Sequence, residues 1–181
     1  EAYNNMGNVL QKKGDSKAAI ESYKEALKIK PDYADAHNNM GNTLKDKGDL
    51  EAAINNYKQA LKIKPDYAEA FYNMGSALRS KGDLETAIEC LQKAVKIKPS
   101  YAEAHSDLGA ALLVANQIES ALVSFDKAIS LKKDLNAAIS GLGTLLLKKG
   151  KHSEGLDKLT QSNGSIFFNL KSGLSIRKGS I

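Results

Sequence analysis

The sequence has no tryptophan, one cysteine, three prolines and few aromatic residues, 6% in all. Each scarcity excludes something. A lone thiol, Cys90, cannot close an internal disulfide, so no covalent staple holds the fold and a reducing compartment, the cytoplasm, is expected. With so few aromatics, small side chains must do much of the packing. No run reaches the roughly 18 apolar residues that a membrane helix needs, and no membrane role is expected. Neither charge sign dominates: 26 Lys and Arg stand against 21 Asp and Glu, a mixed surface rather than a basic block. Cys/His metal spacing, a Gly-rich phosphate loop and a nucleophile elbow are all missing, so no metal, no cofactor and no enzyme activity are expected. The chain begins at Glu1, not Met, inside the pattern described next. It therefore reads as a piece of something longer, with any targeting segment outside it.

What is present is a period. Gly7, Gly41, Gly75, Gly109 and Gly143 recur every 34 residues. In phase with them run Leu10, Leu44, Leu78, Leu112 and Leu146, then Ala19, Ala53, Ala87, Ala121 and Gly155. Tyr23, Tyr57, Leu91, Phe125 and Leu159 follow, and after them Ala26, Ala60, Ala94, Ala128 and Ser162. Pro31, Pro65 and Pro99 close the first three units; Lys133 and Phe167 stand there in the last two. Small residues mark where two helices approach closely, and large ones fill the gaps beside them. A fixed period of this length is the signature of a helical-hairpin repeat.

Local signals agree. Each proline stops a helix. Asp32 with Asp35, Asp66 with Glu69 and Ser100 with Glu103 are spaced as capping boxes for the next helix. Gly14-Asp15, Gly48-Asp49 and Gly82-Asp83 end one helix and cap another. Ten helices are expected, near 1–13, 16–29, 33–47, 50–63, 67–81, 84–97, 101–115, 118–131, 135–149 and 152–161. Ser162-Asn163-Gly164-Ser165 then breaks the pattern. Ile166 to Leu170 and Leu174 to Arg177, around a Lys171-Ser172-Gly173 turn, suggest a β-hairpin or the start of a missing domain. The expected division is a solenoid over 1–163, with repeats about 1–33, 34–67, 68–101, 102–135 and 136–163, and a tail over 164–181.

These five in-phase units resemble the tetratricopeptide repeat family, over about nine tenths of the chain. The match is close in the first three units and degraded in the fifth. The resemblance implies an all-α, right-handed superhelix whose first helix in each pair lines the concave surface. It implies a protein-interaction scaffold, so the expected partner is a protein or peptide segment, with no nucleic acid.

On the inward face so implied, Asn5, Asn39 and Asn73 stand in phase. Asparagine is a poor helix former, so three on one face ask for a reason. An amide offers both donors and an acceptor and can pair with an extended peptide backbone. The run, with the strings Ala-Tyr-Asn-Asn-Met-Gly-Asn and His-Asn-Asn-Met-Gly-Asn-Thr-Leu-Lys, is similar to the asparagine ladder of the O-linked N-acetylglucosamine transferase family. It lapses at Asp107 and Ser140. Asn8, Asn42, Tyr72 and Arg79 are expected to add side-chain selectivity, and Asn38 is expected among the peptide-binding residues. A plainer reading is recent duplication, with Asn merely tolerated on a solvated face. The family's clamp for acidic C-terminal tails is rejected: Asn8 and Asn39 fit, but Asn4, Glu69 and Asn73 stand where its cations would be.

Other candidates carry less. Lysines crowd the ends of the second helices, at Lys28, Lys30, Lys62, Lys64, Lys96 and Lys98, where they complement the helix dipole. His37 and His105 lie two units apart, too far to share a metal. Cys90 reads as a packed, inert thiol. The leading expectation is a peptide-binding module. The alternative is the substrate-recognition arm of a larger enzyme such as a glycosyltransferase, with its catalytic domain beyond this chain. Neither terminus carries a clear polar cap, so self-association through the ends is a further expectation.

Overall fold

The computed structural model describes residues 1–169 and 173–178. In order, the helices are α1 (Ala2–Lys12), α2 (Ser16–Ile29), α3 (Ala34–Asp46), α4 (Leu50–Ile63), α5 (Ala68–Lys81) and α6 (Leu84–Ile97). Then come α7 (Ala102–Val114), α8 (Ile118–Leu131), α9 (Asn136–Lys148) and α10 (His152–Asn163), followed by strands β1 (Gly164–Asn169) and β2 (Gly173–Lys178). Two compact units result, Glu1–Pro99 and Ser100–Ile181.

The starts of α2, α4 and α6 follow from their caps. Asp15, Asp49 and Asp83 accept from the backbone N–H of Ala18, Ala52 and Thr86 at 3.0, 3.1 and 3.3 Å. Each satisfies a donor that the first helical turn leaves open. The preceding turn needs a left-handed residue: Gly14, Gly48, Gly82 and Gly150 have φ between 76° and 92°. In the fourth pair Asn116 takes that conformation at φ 60°, which Asn tolerates better than most residues.

The first helices start differently from expectation. Asp32, Asp66 and Ser100 are not their caps. Pro31-Asp32, Pro65-Asp66 and Pro99-Ser100 form the turns, and α3, α5 and α7 begin two residues later. Tyr33, Tyr67 and Tyr101 hold the N-cap positions without a side-chain cap bond. The turn consumes the residue that the capping-box spacing would have used.

Packing within a pair is small against large. Tyr23 and Tyr57 are wholly buried, each ring lying flat against a glycine. A Cβ on Gly7 would sit 2.5 Å from the Tyr23 ring, and one on Gly41 2.6 Å from Tyr57. Such a gap admits no methyl group. In the second unit Phe125 lies between Gly109 and Gly141, with hypothetical Cβ distances of 2.8 and 2.4 Å. Deeper in the first unit Ile54, Tyr57, Met74, Leu78 and Cys90 form one buried cluster, flanked by Leu44, Leu50, Leu61 and Phe71.

Pairs stack on one another asymmetrically. In the first unit α3 touches both α1 and α5, whereas among the described residues α2 and α4 do not touch. In the second unit α7 touches α9, and α8 and α10 stay apart. Within each unit the first helices therefore crowd together and the second helices splay. That is a curved stack with the first helices on its inner side, the geometry of an α-solenoid.

Helix α10 runs through Asn163, past the break expected at Ser162. β1 pairs antiparallel with β2, Gly164 opposite Lys178 and Asn169 opposite Gly173, and the pair lies against α10. Leu170, Lys171 and Ser172, part of the expected strand and turn, lie outside the described residues.

Candidate peptide-binding face

The adjacency of α1, α3 and α5 brings their asparagines within reach of one another. Asn39 Nδ2 donates to Asn4 Oδ1 at 3.1 Å, and Asn73 Nδ2 donates to Asn38 Oδ1 at 3.0 Å. Each bond spans two consecutive helical pairs. A third rung follows the same step: Gln11 Nε2 donates to Asp46 Oδ2 at 3.2 Å. Asn4 and Asn38 are both 95% buried, so these bonds satisfy acceptors that water cannot reach freely. The ladder is thus also a structural seam between repeats. Asn38, expected among the peptide-binding residues, has its Oδ1 in that seam. Asn5 is exposed, and Asn39 and Asn73 are half-buried.

Asn8 and Asn42 do a second job. The Tyr23 hydroxyl donates to Asn8 Oδ1, and the Tyr57 hydroxyl to Asn42 Oδ1, both at 2.8 Å. Burial pushes both phenols up, so they stay protonated and remain donors. The pairing explains a pattern in the sequence. Where Tyr gives way to Leu91, Phe125 and Leu159, the Asn gives way to Ser76, Ala110 and Thr144. Without a hydroxyl there is nothing for the amide to accept. Each of these bonds commits one lone pair of the Asn8 or Asn42 oxygen and leaves the second lone pair and the Nδ2 donors.

The other expected site residues lie on the same unit. Tyr72 is half-buried at the α5 position matching Asn4 and Asn38, and Arg79 is exposed near the end of α5. The lapse of the ladder needs one correction. Stepping by the period from Asn73 leads to Asp107 and then Gly141, not Ser140. Gly141 is the residue against the Phe125 ring, so packing took the place of the amide.

The remaining candidates resolve into structure. His37 Nδ1 lies 3.3 Å from Asn56 Oδ1 across α3 and α4. Among the described residues no three His, Cys, Asp or Glu side chains gather as metal ligands, and no helix is long and apolar enough to cross a membrane. The lysines after the second helices reach partners. Lys98 meets Glu69 at 2.9 Å and Lys132 meets Glu103 at 3.1 Å, while Lys64 lies over the Tyr67 ring at 4.6 Å. The Lys98 hydrogen bond holds the Glu69 carboxyl below its usual range.

Cys90 is buried in the core cluster, and burial pushes its thiol up to about 11. At pH 8 the native thiol should hold about a hundredfold less thiolate than an unfolded one. A disulfide reagent should therefore label native Cys90 about a hundredfold more slowly than the protein in denaturant. Equal rates would mean that the thiol is open to solvent.

Repeated helical hairpins, stacked with their first helices inward and lined by polar side chains, define a helical-repeat protein of the interaction class. A sequence model described as TPR repeat matches residues 7–46, 41–78 and 75–113. The chain belongs to the tetratricopeptide repeat (TPR) family. Solved structures agree in fold. MamA is 29% identical with a TM-score of 0.77, covering 86% of this chain and 91% of that one. YrrB, described as a TPR protein with an unusual peptide-binding site, is 23% identical with a TM-score of 0.73, covering 90% and 84%. PilF of Pseudomonas aeruginosa is 22% identical with a TM-score of 0.83, covering 94% and 78%. No curated protein matches the sequence.

Proposed function

We propose that this chain is a non-catalytic interaction module that holds an extended segment of a partner protein along the inner face of α1, α3 and α5. One observation carries the reading: Asn39 and Asn73 are fixed by bonds to Asn4 and Asn38, so their amides are already oriented before a ligand arrives. Preorganised groups lose less freedom on binding. Each fixed Nδ2 has spent one of its two hydrogens and each Oδ1 keeps acceptor capacity, enough to address a peptide backbone. Asn5 extends the row at its exposed end, with Tyr72 and Arg79 flanking it. Peptide binding in a protein of similar fold, YrrB, supports the same direction.

A photocrosslinking side chain tests the face. Placed at Arg79, it should capture a partner polypeptide; placed at Ile29, exposed at the end of α2, it should not. Equal capture at both positions would defeat the assignment of the inner face.

A second reading, the recognition arm of a larger enzyme such as a glycosyltransferase, draws on the asparagine run and on the strand pair that interrupts the repeat after α10. The flanking coding sequence decides it: a further repeat block in place of a catalytic domain removes it. Self-association has its own support at the first helix. Tyr3, Met6 and Val9 are 42%, 49% and 52% exposed, while their counterparts Met74 and Ala77 in α5 are buried. Light scattering at rising concentration should show a mass above the monomer, and Met6→Lys should restore the monomer.

A further inference from the structure

Because α2 and α4 splay, a groove opens between them, lined from α2, α3 and α4 and by none of Asn4, Asn5, Asn38, Asn39 and Asn73. Its floor is aliphatic: Ile20 from α2 with Met40 and Leu44 from α3. Its rim carries Lys17, Lys24 and Lys47. Glu21 is the single carboxylate there, and it is bonded to Lys24 at 2.8 Å. The groove encloses about 380 Å³, within the ordinary range of ligand sites, about 300–1,000 Å³.

The next repeat shows what this groove would otherwise be. One period on, Lys17, Ile20, Lys24 and Lys47 become Glu51, Ile54, Lys58 and Lys81. There Glu51 and Lys81 join at 2.9 Å, and the space left is about 140 Å³. The second unit repeats the closed form, with Glu119 and Lys149 at 3.5 Å. Thus Glu51 and Glu119 clasp the lysine of the following repeat. In the first repeat Lys17 stands at that place, facing Lys47 with like charge. The clasp cannot form, and two ammonium groups flank an apolar floor.

We propose that this groove is a second docking site, for an acidic amphipathic segment of a protein partner. One large aliphatic side chain would sit on Ile20, Met40 and Leu44, while Asp or Glu side chains on either side pair with Lys17 and Lys47. Charge complementarity selects this occupant, since the rim lacks the carboxylate that Glu51 and Glu119 supply in two later repeats. Nucleic acid fits less well, because the lining offers no aromatic ring for a base to stack on.

The test uses the whole chain and a short capped peptide alternating leucine with aspartate and glutamate. Calorimetry should show one peptide per chain, weakened as salt rises toward 1 M, where the screening length is about 3 Å. Lys17→Glu, which restores the clasp, should weaken binding about tenfold through the loss of one attraction and the gain of one repulsion. Glu51→Lys should open the second groove and raise the ratio to two. Asn5→Ala, outside the lining of this groove, should change neither result, which keeps this test separate from the inner-face reading. Unchanged affinity in Lys17→Glu, a ratio fixed at one in Glu51→Lys, equal binding of a lysine-for-acid peptide, or tighter binding of a single-stranded oligonucleotide would each overturn the proposal.

Discussion

Tyr57→Ala is expected to destabilise the protein by about 4 kcal/mol, in line with the roughly 3–5 kcal/mol for truncating a large buried aromatic. Tyr57 is wholly buried, its ring covers Gly41, and it sits in the cluster that joins α4 to α5 and α6. Neighbouring helices cannot collapse into the space without breaking the spacing that every other repeat keeps. Tyr57→Phe should cost far less, about 1 kcal/mol, because only the bond to Asn42 is lost. Phe125 shows that the fold accepts the bare ring: it stands at the same place with Ala110 in place of the asparagine. Chemical denaturation followed by circular dichroism measures both. A Tyr57→Ala loss below 1.5 kcal/mol, or equal losses for the two variants, would refute the packing argument. Because each repeat leans on its neighbours, the Ala variant should also broaden the transition.

The contrast between these two variants shows what a sequence of this kind makes legible. The period, the glycine–aromatic pairs and the Asp15, Asp49 and Asp83 caps could be read directly, since each depends on residues close in sequence and recurs. All ten helices lie within two residues of the expected bounds. What failed was local competition, as at Asp32, where turn and cap contend for the same residue and the turn wins. The asparagine pairs were harder. Asn4 and Asn39 are a full repeat and one residue apart, an offset visible only once the inner helices are laid side by side. From sequence alone, Asn39 read as a ligand group, and nothing marked Asn4 as its partner. The charge reversal at Lys17 was written in the aligned repeats throughout. Its meaning required knowing that Glu51 reaches Lys81.

That seam gives the second large effect. Asn39→Ala together with Asn73→Ala should lower stability by roughly 4 kcal/mol, about 2 kcal/mol for each acceptor left unmatched. An asparagine merely tolerated on a solvated face would give the reverse, a stability nearly unchanged by alanine. That outcome is expected at Asn5, which is exposed: Asn5→Ala should change stability by less than about 0.5 kcal/mol. The cost arises because Asn4 and Asn38 keep buried oxygens that have lost their donors. Removing both members of a pair should therefore hurt less than removing one. Asn38→Leu with Asn73→Leu replaces the bond by apolar contact and should be more stable than Asn73→Ala alone, even though two polar groups are gone. If the double leucine variant is the weaker of the two, the amides are contributing through something other than mutual satisfaction. Binding assays on ladder variants must be run below their lowered melting temperatures, since a loss of capture in a half-unfolded first unit would mimic a loss of contact.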